Sequence, residues 1–200
     1  MPKAFSEQEK EAIRTQMREK GRKLFERQGI KKTSVDELAQ AVGISKGAFY
    51  LFYPSKEELF MEILEGLEAD FRTQIFDFSL HPQHNARELL AKLFKDTMLT
   101  WDKYPLLKNF SEAEYDYLAR KLPRERIQAH TASDDQFVDE LVKWIKKEGI
   151  TVKASPRVVS SLMKSLFFVG LHREDLGTKA YKEAMEILSN LVARFIVEGE

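Results

Sequence analysis

Apolar residues recur every three or four positions along nearly the whole chain. Alternation of apolar and polar residues is sustained nowhere, so the pattern predicts helices and no strands. A first helix is expected from Ser6 to Gln28, with Ile13, Met17, Leu24 and Phe25 facing inward, small Gly21 among them and Gly29 as its stop. Two short helices follow, Val35–Val42 ended by Gly43 and Lys46–Tyr53 ended by Pro54. A long helix after Ser55 then carries Leu59, Phe60, Ile63, Leu64, Leu67, Phe71 and Ile75 on one face. Ser79–Asn85 reads as a loop. Further helices are expected at Ala86–Lys103, Pro105–Phe110, Glu112–Leu122, Asp134–Glu148, Pro156–Leu171 and Lys179–Glu198. Pro2, Pro54, Pro82, Pro105, Pro123 and Pro156 all fall where helices could begin or end. Five Ser-x-x-Glu/Gln pairs mark starts: Ser6 with Glu9, Ser34 with Glu37, Ser55 with Glu58, Ser111 with Glu114 and Ser133 with Gln136. In each, the hydroxyl would take an orphan N–H of the first turn while the acid or amide reaches back. The fold class is therefore all-α.

Composition agrees with that reading. The chain is 43% hydrophobic and 32% charged, enough apolar material for a core beneath solvated helical faces. The net charge of zero hides an asymmetry: residues 1–56 hold 12 Lys/Arg against 7 Asp/Glu, and the remainder 20 against 25. A basic N-terminal part on an acidic body suits contact with a polyanion through that part alone, although a solvated helix surface explains it equally well. Without cysteine there is no disulfide and no thiolate metal site, which fits a reducing cytoplasm. The polar start MPKAFSEQEKEAIR lacks the apolar run of a signal peptide. The longest apolar run, Leu166–Leu171, is far below the roughly 18 residues of a membrane span, so no membrane partner is expected.

The chemistry concentrates in VDELAQAVGISKGAFYLFYP, Val35–Pro54. Small Ala39 stands where two short helices would cross, and Gly43 supplies a turn that tolerates positive φ. Leu38, Val42, Ile44, Phe49 and Phe52 would seal the pair. The wider segment Lys23–Leu59 carries Leu24-Phe25, Gly29, Thr33-Ser34-Val35, Leu38-Ala39, Val42-Gly43-Ile44-Ser45, Gly47, Phe49-Tyr50 and Pro54-Ser55-Lys56. Over residues 10–70 it resembles the N-terminal domain of the tetracycline-repressor (TetR) family.

That resemblance implies a three-helix DNA-binding domain at residues 1–55 and an effector-binding and dimerisation domain at 56–200, a helical bundle bringing the total to about nine or more helices. It implies a recognition helix after Gly43 that lies in the major groove. Ser45 would cap it, Lys46 would reach a phosphate or a guanine edge, Gly47 would let the backbone come close, and Ala48 would touch a thymine methyl. Tyr50 matches the family tyrosine that holds a phosphate, and Lys56 matches its phosphate-binding lysine. Thr33, Ser34 and Val35 would sit against the backbone of the same groove. Lys31 and Lys32 are either phosphate contacts or a solvated turn. The chain departs from the family at Tyr50-Leu51-Phe52-Tyr53, where the family often has Tyr-x-His-Phe or Tyr-x-Tyr-Phe. Phe52 donates no hydrogen bond, so either the phosphate contact usual at that position is lost or Tyr53 replaces it.

The last two helices carry wide apolar stripes, which suits a homodimer built from Leu162, Leu166, Phe167, Met185, Leu188, Val192 and Phe195. Such a dimer would read a pseudo-palindromic double-stranded operator, and the resemblance implies its release by a small-molecule effector, expected to be partly apolar. Candidates for its pocket are Phe71, Phe94, Trp101, Tyr104, Tyr115, Phe137 and Phe167, with core packing the competing reading for each. No cofactor and no catalytic or metal site is expected. His81 and His84 have H-x-x-H spacing, but Pro82 separates them and no third ligand is placed. There is no nucleophile motif or Gly-rich phosphate loop. The alternative is a helical ligand-binding or scaffold protein without DNA binding.

Overall fold

The computed structural model describes residues 5–76, 86–101 and 104–198, apart from the side chains of 76, 89 and 97–101. The loop expected at Ser79–Asn85, with His81 and His84, lies outside the described residues, as does the side chain of Trp101. The described residues form eleven helices: α1 Glu7–Lys32, α2 Val35–Ala41, α3 Lys46–Phe49, α4 Lys56–Phe76, α5 Ala86–Trp101, α6 Pro105–Lys108, α7 Glu112–Lys121, α8 Arg124–Lys147, α9 Pro156–Leu171, α10 Arg173–Leu176 and α11 Thr178–Glu198. Among them no helix is long and apolar enough to cross a membrane.

Two compact units emerge, one of residues 1–69 with 105–122, the other of 70–104 with 123–200. The first unit thus holds α1–α3, most of α4, and also α6 and α7. Gly21 lets three helices meet. A Cβ there would stand 3.2 Å from Leu59, 3.4 Å from Leu38 and 3.5 Å from Ile63, so α1, α2 and α4 approach over a side chain that is missing. Phe60 continues this core, with its ring 5.2 Å from Phe25 and 6.0 Å from Phe110.

In the second unit α5 lies along α11, and α9 joins α8 and α11. Phe71, Leu90, Phe94, Phe137, Leu141, Ile145, Leu166, Tyr181, Met185 and Ile196 share one buried cluster. Polar contacts are peripheral. Lys164 and Ser160 donate to Asp135 across α8 and α9, and Arg72 pairs with Asp134 at 2.6 Å. Two hydroxyls are exceptions: Ser160 is itself buried, and Ser189 is fully buried and without a partner.

The capping pairs divide. Ser6–Glu9 and Ser34–Glu37 form complete reciprocal boxes, and Ser55 Oγ accepts from the Glu58 amide at 3.2 Å. Ser111 makes no side-chain cap. Ser133–Gln136 is not a start at all. Nothing between Arg124 and Asp134 breaks a helix, so α8 begins after Pro123 and runs through Ser133, which accepts from Arg72 instead. α1 does break at Gly29 (φ 74°, ψ 166°), as its glycine demands, but one more turn follows to Lys32. α3 is shorter than expected: after Phe49 the chain closes i→i+3 bonds, Leu51 N–H to Ala48 and Phe52 N–H to Phe49, and tightens out of the α form.

Candidate nucleic-acid interface

The segment 34–53 folds as two short helices joined by a tight turn. Ser34 Oγ accepts the Glu37 amide at 3.2 Å, while Glu37 Oε2 accepts the Ser34 amide at 2.8 Å. Bonds from the Ser34 amide, from Gln28 and from the Ser34 hydroxyl hold the Glu37 carboxyl down at about 2. At the other end the amides of Gly43 and Ile44 return to Gln40 and Ala39, with Gly43 at φ 76°. Ser45 Oγ then accepts the Ala48 amide at 3.1 Å and starts α3. Phe49 is completely buried and anchors the short helix, leaving the rest of its surface free to face outward.

That outward surface carries much of the expected set. Ser34, Ser45, Lys46, Gly47 and Tyr50 are exposed, and Val35 and Ala48 are half-buried. Lys46 Nζ rests 2.7 Å from Asp36, whose hydrogen bond raises the lysine pKa. Beyond Ser45 Oγ at 3.9 Å, a Cβ on Gly47 would meet nothing, so no neighbour in the protein demands a glycine there. The Tyr50 ring stands edge-on to Phe49, 5.6 Å away, with half its surface exposed.

Three expectations need correction. Thr33 is fully buried, and its hydroxyl donates to the Gly29 carbonyl at 2.8 Å, so its side chain is not at any groove. Lys56 is half-buried and points inward: Nζ donates to the carbonyls of Ile30 and Thr33 at 2.7 Å and of Lys31 at 3.3 Å. Burial lowers its pKa. Its donors are spent on the C-terminal carbonyls of α1, which is a helix-capping role rather than a phosphate contact. Tyr53 does not stand in for the polar residue lost at 52. Phe52 packs against Phe5, 5.9 Å between rings, and Tyr53 is 4% exposed. The Tyr53 hydroxyl meets no partner at good hydrogen-bond geometry, and burial, with the nearby Glu62 carboxylate, pushes its pKa far up.

The sequence reading missed two features here. Leu51 is 70% exposed beside Tyr50; an apolar residue at a position the turn leaves outside was its only signal. The second is α7. Tyr117 donates to Glu57 at 2.5 Å, with Lys31 and Lys56 ammonium groups 5.9 and 5.8 Å from its ring. Burial and that bond push the Tyr117 phenol up to about 12. Glu114 Oε1 accepts the Ile30 amide at 3.3 Å, and burial raises its pKa. No motif announces such contacts between residues so distant in sequence.

In the second unit, the expected interface set splits by burial. Leu166, Met185 and Val192 belong to the core and cannot form a surface, Leu162 and Leu188 pack partly against it, and Phe167 is half-buried beside Phe168. Phe195 is exposed, and it lies four and eight residues from Leu191 and Ile187, exposed by 54% and 60%. With Phe168 and Val158 of α9, these are the exposed large apolar residues of α9 and α11. Of the pocket candidates, Phe71, Phe94 and Phe137 share the core cluster, with the Arg72 guanidinium 5.0 Å from the Phe137 ring. Tyr104 accepts from Gln74 at 3.1 Å. Tyr115 is exposed on α7, in the first unit.

Residues 18–63 match the sequence model of the family described as bacterial regulatory proteins, tetR family. The chain is 32% identical over 136 residues to the uncharacterized HTH-type transcriptional regulator YuxN of Bacillus subtilis, a stretch covering 64% of this chain and 45% of that protein. It thus spans about half the length of the curated relatives it matches. A TetR-family transcriptional regulator from Pectobacterium atrosepticum superposes with a TM-score of 0.67 at 18% identity, over 96% of this chain and 98% of that one. The Thermus thermophilus repressor FadR, solved with lauroyl-CoA, gives 0.58 at 20% identity over 93% and 94%. At such identities the structural likeness establishes the fold.

Proposed function

We propose that this chain, which matches the family described as bacterial regulatory proteins, tetR family, over residues 18–63, is a DNA-binding transcriptional regulator, a repressor that grips a pseudo-palindromic operator as a homodimer and is released by a small molecule. The observation that carries this is the outward surface of the two short helices, where Ser34, Lys46, Gly47 and Tyr50 are exposed while Phe49, Phe52 and Tyr53 are drawn inside. Tyr50 offers a hydroxyl to phosphate, Lys46 a cation to phosphate or a base edge, and Gly47 a bare backbone. Lys46 exchanges Asp36 for the polyanion on docking. Leu51 joins the surface as an apolar contact suited to a thymine methyl.

The dimer is assigned to the outward residues Phe168, Ile187, Leu191 and Phe195, since exposed apolar stripes of this kind mark association surfaces. The effector is assigned to the second unit. FadR with its acyl-CoA is an instance of a related fold holding a partly apolar ligand. A cytoplasmic location follows from the operator as partner.

The test is Lys46→Ala with Tyr50→Ala in the full chain, against duplexes recovered by the wild-type protein from a random-sequence pool. Both side chains are exposed, so the fold should survive. Affinity should fall by about a hundredfold, and the slope of log affinity against log salt by about one phosphate equivalent, since Lys46 is the only cation removed. Unchanged affinity in the folded variant would refute the assignment.

A further inference from the structure

We infer that Glu114 of α7 is a positioning residue for the DNA-reading surface, holding the corner from which α2 springs without itself touching DNA. The inference rests on the duplex-binding reading above.

The corner is the stretch Gly29–Thr33. In an unbroken helix the Ile30 amide would donate to the Glu26 carbonyl. Gly29, at φ 74° and ψ 166°, breaks the helix at that point. The segment Pro105–Lys121 serves both groups: the Ile30 amide donates to Glu114 Oε1 at 3.3 Å, and the Glu26 carbonyl accepts from Asn109 Nδ2 at 3.3 Å. The fit against Gly29 is close, because a Cβ on that residue would lie 2.9 Å from Glu114 Oε1. From the other side, Lys56 takes the carbonyls of Ile30, Lys31 and Thr33, and Thr33 folds its hydroxyl back onto Gly29. The next residue is Ser34, the cap of α2, and α2 leads through Gly43 to Lys46 and Tyr50. The direction in which those side chains project is therefore set at this corner, and Glu114 is the part of the clamp contributed by α7.

A residue acting this way leaves a distinctive signature. Glu114→Ala in the full chain should weaken binding to the recovered duplex about tenfold, with the salt slope unchanged because no phosphate contact is lost. Glu114→Gln, whose amide oxygen still accepts the Ile30 N–H, should bind within about threefold of wild type. Amide exchange at Ile30 should accelerate in Glu114→Ala and stay slow in Glu114→Gln. Wild-type affinity in a folded Glu114→Ala variant, or unaltered Ile30 exchange, would overturn the inference. If Glu114→Ala does not fold, equal loss of affinity in the Gln variant would do so. Failure of the wild-type chain to recover any duplex is a separate result, and it would sink the regulator reading on which this one stands.

Discussion

Both units have an apolar core, and they differ in what is added to it. The first adds directional polar contacts with the backbone: capping boxes that start α1 and α2 at Ser6 and Ser34, Lys56 on three carbonyls, and Glu114 on the Ile30 amide. The second relies on an apolar cluster shared among α5, α8, α9 and α11, with ion pairs at its margin. Hydrogen bonds fix angles, whereas apolar contact tolerates sliding and repacking. A surface that must meet a groove in register needs the former, and a bundle proposed to admit a ligand suits the latter.

The largest effect should follow from truncating the second core. Met185 is 1% exposed on α11, and Met185→Ala should cost about 2–5 kcal/mol as measured by denaturant melts of the full chain. A cost at the low end would indicate a core able to collapse around the gap. Lys56→Met tests the opposite principle. It keeps the apolar stem but orphans the carbonyls that Nζ serves, at a cost of about 1–3 kcal/mol. It should also leave the salt slope of duplex binding unchanged. A slope reduced by about one would return Lys56 to the phosphate-binding role implied by the resemblance.

These contrasts explain what the sequence disclosed. The two short helices were legible because each rule is local: a serine with an acid three residues on, a glycine at the turn, an apolar residue at Phe49. The inward turn of Lys56 was not, because its partners are carbonyls some 25 residues away and the motif records only that a lysine stands there. α9 and α11 were legible as helices, but not in orientation. Both carry apolar residues on several sides, and only the packing of α5 and α9 against α11 decides that Met185 turns in and Leu191 turns out.

Leu191→Asp sharpens that distinction. At 54% exposure the residue contributes little within one chain, so the variant should melt within about 0.5 kcal/mol of a wild-type monomer. Analytical ultracentrifugation should nonetheless show the dimer lost, since a charge would be buried in an apolar interface. A dimer that persisted would exclude the Ile187–Leu191–Phe195 stripe.

The finest test sets two acids of the first unit against each other. Glu37, in the box that starts α2, is depressed from 4.5 to about 2 by bonds from the Ser34 amide, Gln28 and the Ser34 hydroxyl. Glu114, gripping the corner before α2, is raised because burial outweighs the Ile30 and Ser111 amides that favour its anion. Their linkage signs are opposite. For Glu37 the unfolded chain binds the proton more tightly, so its contribution is complete above the ordinary 4.5 and drains away as pH falls toward about 2. For Glu114 the folded chain binds the proton more tightly. Stability is therefore greatest below the ordinary glutamate value and declines as pH rises through the raised one. Glu37→Gln should flatten only the acid limb of a stability–pH curve, and Glu114→Gln only the limb above 4.5. If Glu114→Gln moved the acid limb instead, the carboxylate would not be buried against the corner.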